Sequence, residues 1–162
     1  MNCRKNRGFS LLEVLITMLL TTIGILGMLA MQGKAIQYTQ DSAERTHAVI
    51  LANDLMEIIR ATPRGVQPDA NETPFFDSLP AGRTDGCLEI AEDAIQTQID
   101  CWAGKARAIL PGAGEVADIF HSCVSATPGL CDDGAAVEIR LAWVCQEADA
   151  DTPCTYTFRS QI

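Results

Sequence analysis

The chain has 162 residues, of which 48% are hydrophobic, and its 21 acidic residues outnumber its 12 basic residues to give a formal net charge of −9. This length accommodates one modest domain together with an apolar segment. Nucleic-acid binding needs positive charge clustered on one face, so the acidic composition argues against a DNA- or RNA-binding protein.

The first 31 residues contain a short basic stretch followed by a long apolar run. Three basic residues precede Gly8, and residues 9–31 contain Glu13 as their only ionisable side chain. At about 1.5 Å per residue, this run forms a helix long enough to cross a bilayer core of about 30 Å. A carboxylate at membrane depth is costly, so the position of Glu13 indicates a functional role.

The junction Gly8-Phe9-Ser10-Leu11-Leu12-Glu13 resembles the class III signal of type IV pilins and their secretion relatives, the pseudopilins. An ordinary secretory signal would place its cleavage site after the apolar run, whereas this junction precedes it. The resemblance implies that a prepilin peptidase cuts between Gly8 and Phe9 and methylates Phe9. Glu13 then becomes the fifth residue of the mature chain and takes part in assembly.

The chemistry of Glu13 fits an assembly role. Cleavage creates an ammonium group at Phe9, and the amine of a neighbouring subunit can approach the Glu13 carboxylate when the two helices slide alongside each other. A charge pair in a low-dielectric medium interacts strongly, while an unpaired charge there is costly. Glu13 would therefore favour correct docking and disfavour misdocking, without any catalytic step.

Three further segments resemble the PilV-type minor pilins: IGILGMLAMQG at residues 23–33, IQYTQDS at 36–42 and LANDLME at 51–57. The resemblance covers about the first 60 residues. It implies a minor pilin that primes type IV pilus assembly, sits in the tip complex and supports adhesion and twitching motility. The implied partners are other minor pilins, the major pilin, a large tip adhesin, the prepilin peptidase and the inner-membrane assembly platform.

Two other functions compete with this interpretation. A minor pseudopilin of a type II secretion system shares the Gly-Phe start and a similar Leu-Ala-Asn-Asp-Leu helix. A membrane-tethered periplasmic binding module would carry the same anchor but would not be cleaved at Gly8, and it would not depend on Glu13. The segment at 36–42 favours the pilus.

The resemblance, together with the residue pattern, implies an α+β, pilin-like fold in four parts: a leader at 1–8, a transmembrane helix at 9–31, its periplasmic continuation at 32–61 and a globular domain at 62–162. Apolar residues from Ala48 to Ile59 recur at helical spacing, and Pro63 ends the helix. The basic leader places the N-terminus in the cytoplasm and the globular domain in the periplasm, from which the subunit would enter the pilus fibre. Residues 62–84 are predicted to form a long surface connection.

The globular domain is predicted to contain a second helix within residues 88–110 and a small antiparallel sheet. Trp102 lies on the apolar face of that helix and is predicted to be part of the core. Alternation predicts strands from Val137 to Cys145 and from Tyr156 onwards, with Trp143 opposite Tyr156 and Leu141 opposite Phe158, and a weaker strand at residues 119–124.

Six cysteines lie in the globular domain, and Cys3 lies in the leader. An even number in an oxidising compartment indicates disulfides, and the strand register favours Cys145–Cys154. Cys123–Cys131 would close the turn at Pro128, which leaves Cys87–Cys101 by elimination. A helix starting at residue 88 would hold Cys87 and Cys101 about 20 Å apart, so either the helix starts later or the pairing differs.

No catalytic, cofactor or metal site is predicted. The sequence has no C-x-x-C and only two histidines, which disfavours zinc, and His121 has no recognisable partner. Glu147, Asp149 and Asp151 mimic the start of a calcium loop, but Thr152 and Phe158 stand where such a loop needs glycine and a bidentate acid. A solvated acidic hairpin loop is the better interpretation, and the chain is predicted not to be an enzyme.

Overall fold

A computed structural model describes residues 9–61, 75–87, 95–132, 134–145 and 152–161. Within these ranges it contains two α-helices and three strands: α1 (Leu11–Ala61), α2 (Ile95–Ile109), β1 (His121–Ser125), β2 (Ala136–Trp143) and β3 (Cys154–Gln161). The predicted α+β fold, with a long N-terminal helix, an antiparallel sheet and disulfides, is confirmed. The chain divides into two compact units, residues 1–39 and 40–162. The leader, the segment 62–74 and the acidic residues Glu147, Asp149 and Asp151 lie outside the described residues.

The described part of the first unit is the beginning of α1. All residues from Phe9 to Gln40 are exposed. Among the described residues, α1 is the one helix with the length and apolar composition to cross a membrane, and no part of its apolar window is buried. A bare apolar surface of this length is what a bilayer anchor presents to lipid.

The second unit begins within α1, where the helix acquires a single buried stripe. Its buried residues follow the spacing of one helical face: Glu44, Ala48, Leu51, Ala52, Leu55, Met56 and Ile59. Asn53, Glu57 and Arg60 lie on the opposite, exposed face. The helix ends at Ala61, two residues before Pro63, as expected for a residue that blocks helical continuation.

Helix α2 packs against α1 through a hydrogen bond as well as apolar contact. Trp102 is buried, and its indole Nε1–H donates to the Leu51 carbonyl oxygen at 2.9 Å. On another side of α2 the backbone of Arg83 passes close by, and its N–H donates to the Asp100 carbonyl at 2.9 Å. A Cβ at Gly104 would overlap the Arg83 carbonyl, so this close approach requires glycine.

The sheet has the order β1-β2-β3, with both pairings antiparallel. β2 is the central strand, and Val137, Ile139, Leu141 and Trp143 pack into the core formed with α1 and α2. The predicted register of β2 and β3 is wrong by two residues, because Trp143 pairs with Cys154, Leu141 with Tyr156 and Ile139 with Phe158. A shift of two keeps every side chain on its predicted face. The strand stops at Trp143 because the next N–H, that of Val144, donates to the Pro111 carbonyl instead of to β3.

The weaker strand begins later than predicted. Residues Ala117–Ile119 form a short 3₁₀ turn, and β1 starts at His121. Phe76 pairs with Ser122 on the outer edge of β1 through two backbone hydrogen bonds of 3.0 and 2.8 Å. The connection that precedes α2 is thus fixed to the sheet at Phe76.

Three disulfides join the pairs that the sequence favours, with Cα–Cα distances of 5.8 Å for Cys87–Cys101, 5.6 Å for Cys123–Cys131 and 5.5 Å for Cys145–Cys154. The Cα–Cα distance of 5.8 Å resolves the conflict over Cys87, because a helix running from residue 88 would hold the two Cα atoms about 20 Å apart. Cys101 lies in the second turn of the described part of α2. Cys145 lies two residues beyond Trp143, the strand partner of Cys154, so the third bridge crosses the end of the sheet diagonally.

Glu44 is a carboxylate on the buried stripe of α1. It is only 9% exposed, and neither its Oε2 atom nor the buried indole Nε1 of Trp143 has a hydrogen-bond partner among the described residues. Burial of the carboxyl group, and then the charge of Asp41, raise the pKa of Glu44 above its ordinary value. Ionised Glu44 is therefore a source of instability in the folded unit.

We predict that Glu44→Gln raises the melting temperature of the protein at pH 7. The folded state raises the pKa above the ordinary value of 4.5, so the wild type loses stability as the pH rises through and above that value. The advantage of Gln should shrink as the pH falls below 4.5. Thermal unfolding across pH checks this, with the exposed Glu57→Gln as the control. An equal melting temperature at pH 7 would contradict a destabilising charge at Glu44.

Candidate functional site

The predicted N-terminal site lies at the start of α1. Gly8 is outside the described residues, and Phe9 is exposed immediately before the helix. Ser10 is the N-cap, because its Oγ accepts a hydrogen bond from the Leu12 N–H at 3.3 Å. Glu13 is in the first turn, and its N–H donates to the Ser10 carbonyl at 3.0 Å.

The position of Glu13 in the first turn of α1 also suits it to stabilise the start of the helix. Ser10-x-x-Glu13 has the spacing of a capping box, and a negative side chain in the first turn complements the positive end of the helix dipole. Any test of an assembly role must therefore separate the charge of Glu13 from its contribution to the helix start.

A second group of polar residues lies on the outer face of the sheet, the face opposite the core. We call it the outer-face cluster, and it contains His121, Cys123, Cys131, Glu138 and Arg140. The β1–β2 register pairs His121 with Arg140 and Cys123 with Glu138, so these four residues share one face. The loop between the strands returns across that face and brings Cys131 to Cys123.

Glu138 is the centre of the outer-face cluster and is fully buried. The Gly129 N–H donates to both carboxylate oxygens, at 3.1 and 2.9 Å, and His121 Nε2 lies 3.3 Å from Oε1. Arg140 Nη2 lies 3.8 Å from the same oxygen. Burial acts to raise the pKa of Glu138, but the Gly129 N–H, His121 and Arg140 outweigh it and the pKa is lowered. The carboxylate is therefore ionised and satisfied in the folded protein.

The loop above the outer-face cluster is fixed at several points besides the disulfide. Asp132 Oδ1 accepts hydrogen bonds from the N–H groups of Ala126 and Thr127, which lower its pKa. Gly129 has a φ of +85°, a conformation that favours glycine, and this turn directs its N–H to Glu138. These contacts hold the described loop residues 126–132, among which Leu130 is exposed.

The outer-face cluster also contains metal-ligand chemistry. One ligand atom each from His121, Cys123 and Cys131 lies within 4.8 Å of the others. In the structure both sulfur atoms are joined in the disulfide, so neither is a thiolate ligand. The prediction that His121 has no partner is wrong, because it contacts Glu138.

Sequence reasoning missed Glu138 and Glu44. Glu44 precedes Ala48 by one helical turn and so lies on the inward stripe of α1, whereas Glu138 stands opposite Cys123 on the face of the sheet that points away from the core. Periodicity could have identified Glu44. Glu138 is buried by a loop, and no period in the sequence shows that a loop covers the second face of a sheet.

Comparison with protein-family models finds two matches in this chain. The prokaryotic N-terminal methylation motif matches residues 3–29, which include Gly8, Phe9 and Glu13. The model described as type IV pilin Tt1218 matches residues 30–104, which include the rest of α1 and most of α2. Searches of curated proteins and of solved structures returned no match.

We predict that Glu138→Gln destabilises the protein at pH 7 by about 1.5–3 kcal/mol, the range for hydrogen bonds to a charged group. The change keeps the size of the side chain but removes one acceptor for the Gly129 N–H and the charge beside His121 and Arg140. Urea denaturation measures the loss, and hydrogen exchange should show faster exchange at the Gly129 amide.

The matched control is Glu115→Gln, which removes an exposed charge elsewhere in the same unit. Because the pKa of Glu138 is lowered, its contribution is present above the ordinary value of 4.5 and is lost as the pH falls through the folded pKa. The difference between wild type and Glu138→Gln should therefore disappear in acid. A difference that persists unchanged in acid would mean that the carboxylate charge does not hold the loop.

Proposed function

Since this chain belongs to the type IV pilin-like family, we propose that it is a PilV-type minor pilin that helps to prime type IV pilus assembly and remains in the tip complex of the fibre. In that role it supports pilus biogenesis, adhesion and twitching motility. The observation that carries the proposal is the junction from Gly8 to Glu13, which opens a long apolar run. The helix that contains this run, α1, continues into residues that bury one stripe within the globular unit.

The proposed mechanism begins in the inner membrane. The basic leader holds the N-terminus in the cytoplasm, and the prepilin peptidase removes it at Gly8 and methylates Phe9. Ser10 then caps a helix that starts within two residues of the new terminus. Because the helix start is ordered, the Phe9 amine and the Glu13 carboxylate of each subunit stand at fixed positions along α1.

Assembly follows from charge pairing between such helices. In the membrane the Glu13 carboxylate has no water to solvate it, so its most favourable environment is the terminal amine of an adjacent subunit. A subunit that docks out of register leaves both charges unpaired. We infer that this penalty, rather than apolar contact, sets the axial position of neighbouring helices, because lipid solvates apolar side chains as well as a helix does.

The globular unit would supply partner choice. Other pilins would carry the same membrane-helix chemistry, so we expect the exposed surface of residues 40–162 to select among sister minor pilins, the major pilin, a large tip adhesin and the assembly platform. That surface is acidic, and electrostatic complementarity governs specificity and association rate more than affinity.

The first experiment is the intact mass and N-terminal sequence of the unreduced protein from its native membrane. We expect a chain that begins with methylated Phe9 and is six protons lighter than its fully reduced form, because three disulfides are closed. An intact Met1 in cells with an active prepilin peptidase would overturn the pilin proposal and favour a tethered binding module.

In a deletion strain, accumulation of secreted enzymes in the periplasm with normal piliation would assign the chain to type II secretion.

We predict that Glu13→Gln abolishes incorporation into pili while leaving cleavage and membrane insertion unchanged. Gln keeps the size of the side chain and fits the third position of a capping box, but it cannot pair with an amine as a charge does. Ser10→Ala is the matched control, because it removes the N-cap at a cost of about 0.5–2 kcal/mol and keeps the carboxylate.

The measurement is the amount of the subunit in sheared pili relative to the amount in the membrane, by immunoblot. Loss in Glu13→Gln with substantial incorporation of Ser10→Ala supports charge pairing. Equal incorporation of Glu13→Gln and wild type would overturn the role of Glu13 in docking, and a loss confined to Ser10→Ala would assign the motif to helix capping.

A further inference from the structure

Strand β3 lies at one edge of the sheet and pairs with β2 alone. Its eight residues, from Cys154 to Gln161, pair with β2 in unbroken register. The other edge strand differs, because Phe76 covers the outer side of β1 through two backbone hydrogen bonds to Ser122. No such bridge to β3 occurs within the part of the chain that the structure describes. The outer side of β3 is the open edge of this sheet.

The Phe76–Ser122 bridge shows which backbone groups of β3 face the open edge. In an antiparallel ladder a residue directs its N–H and C=O to the same side, and successive residues alternate between the two sides. Ser122 directs both groups to Phe76, so its partner on β2, Ile139, does not bond to it and faces β3. Ile139 therefore bonds to its partner on β3, Phe158. By the same alternation, four residues of β3 direct their backbone groups to the open edge: Thr155, Thr157, Arg159 and Gln161.

The side chains beside the open edge suit an extended strand. On the inner face, Tyr156 and Phe158 pack against the core but are only half-buried, so part of each ring is accessible. On the outer face, Thr155 and Thr157 are exposed. A strand added at this edge would place alternate side chains beside the two rings and the intervening ones beside the two threonines.

The residues of β3 lack the features that protect an edge strand from pairing with another chain. The strand contains no Lys, no Pro and no bulge. Its one charged side chain, Arg159, is engaged across the sheet, where Nη2 donates to the carbonyl oxygens of Ser125 and Ala126 at the end of β1. A regular edge of this kind is a template for another strand.

The charge of the globular unit distinguishes between two kinds of occupant. Residues 40–162 contain 20 acidic and 8 basic residues, which give a formal charge of −12. Two units of this charge repel each other as they approach, which disfavours pairing of β3 with a second copy of itself. A strand that carries positive charge is attracted instead.

We propose that the open edge of β3 binds an extended segment of a different protein, which adds to the sheet as its next strand. The segment has apolar side chains at alternate positions and basic residues beside them. Main-chain hydrogen bonds to the four outward-facing residues supply affinity, and the contacts with Tyr156 and Phe158 supply specificity. This inference goes beyond the proposed pilin role and does not depend on it.

The first test is hydrogen exchange of single amides, measured by NMR on the full oxidised chain in detergent. We expect the amides of Thr155, Thr157 and Arg159 to exchange at least about tenfold faster than those of Tyr156 and Phe158, which bond to β2. Equally slow exchange of both sets would show that the chain itself or a second copy already covers the edge. That result would overturn the proposal.

The second test identifies the occupant in cells that make the protein at its native level. A photo-crosslinking amino acid replaces Thr155 in one strain and the exposed Glu115, in the same unit, in a control strain. We expect the probe at 155, and not the probe at 115, to join one other protein through a segment with alternate apolar residues and basic neighbours, mapped by mass spectrometry. A crosslink to a second copy, or no crosslink from 155, would overturn the proposal.

Two substitutions at Thr157 separate backbone pairing from side-chain contact. Thr157→Pro removes an N–H that faces the open edge and not β2, whereas Thr157→Ala keeps that N–H and removes the hydroxyl. We expect Thr157→Pro to reduce crosslinking from position 155 by about fivefold or more and Thr157→Ala to leave it within about twofold. Equal crosslinking in the two variants would contradict strand addition. The unreduced mass, with three disulfides closed, checks the fold of Thr157→Pro, and the hydrogen-exchange test needs no variant.

Discussion

The structure depends on one constraint: a single helix, α1, must be stable in two different environments along its length. From Phe9 to Gln40 every residue of the described chain is exposed, and the run up to Met31 is almost entirely apolar. From Glu44 onwards the same helix buries one stripe and exposes the other. Apolar surface all round is stable only in lipid, whereas a single stripe is stable only against a protein core. The sequence of α1 changes from one pattern to the other without a break in the helix.

Residues of β2 and α2 form the small core against which the buried stripe of α1 packs. Disulfides compensate for limited apolar burial in small exported domains, and here each of the three fixes a different connection: the chain before α2, the β1–β2 loop and the β2–β3 loop. Two buried carboxylates show how differently the same group behaves in such a domain. Glu138 accepts the hydrogen bond of the Gly129 N–H and keeps its charge. Glu44 has an oxygen without a hydrogen-bond partner among the described residues, and its pKa is raised.

Local physical signals were enough to predict most of this fold. Helical spacing identified the buried stripe and Pro63 its end, and alternation identified the faces of β2 and β3. The register of those strands could not be derived from the sequence, because it depends on how many residues the hairpin loop contains. That number is set by a hydrogen bond from the Val144 N–H to the carbonyl of Pro111, which is distant in sequence. The same limit explains Glu138, since its burial results from a loop that crosses the outer face of the sheet. Gly8 and Glu13 were identified from a motif, and their roles remain predictions.

The matched family models cover residues 3–104, which contain the junction, α1 and most of α2. The sheet, two of the three disulfides and the outer-face cluster follow in residues 105–162. A loop held by a disulfide, Asp132 and Glu138 exposes Leu130 at little further entropic cost, because its conformation is already fixed. Pre-organisation of this kind raises the affinity of a surface without enlarging it. The Cys123–Cys131 disulfide thus acts together with Asp132 and Glu138 to hold the loop that carries Leu130.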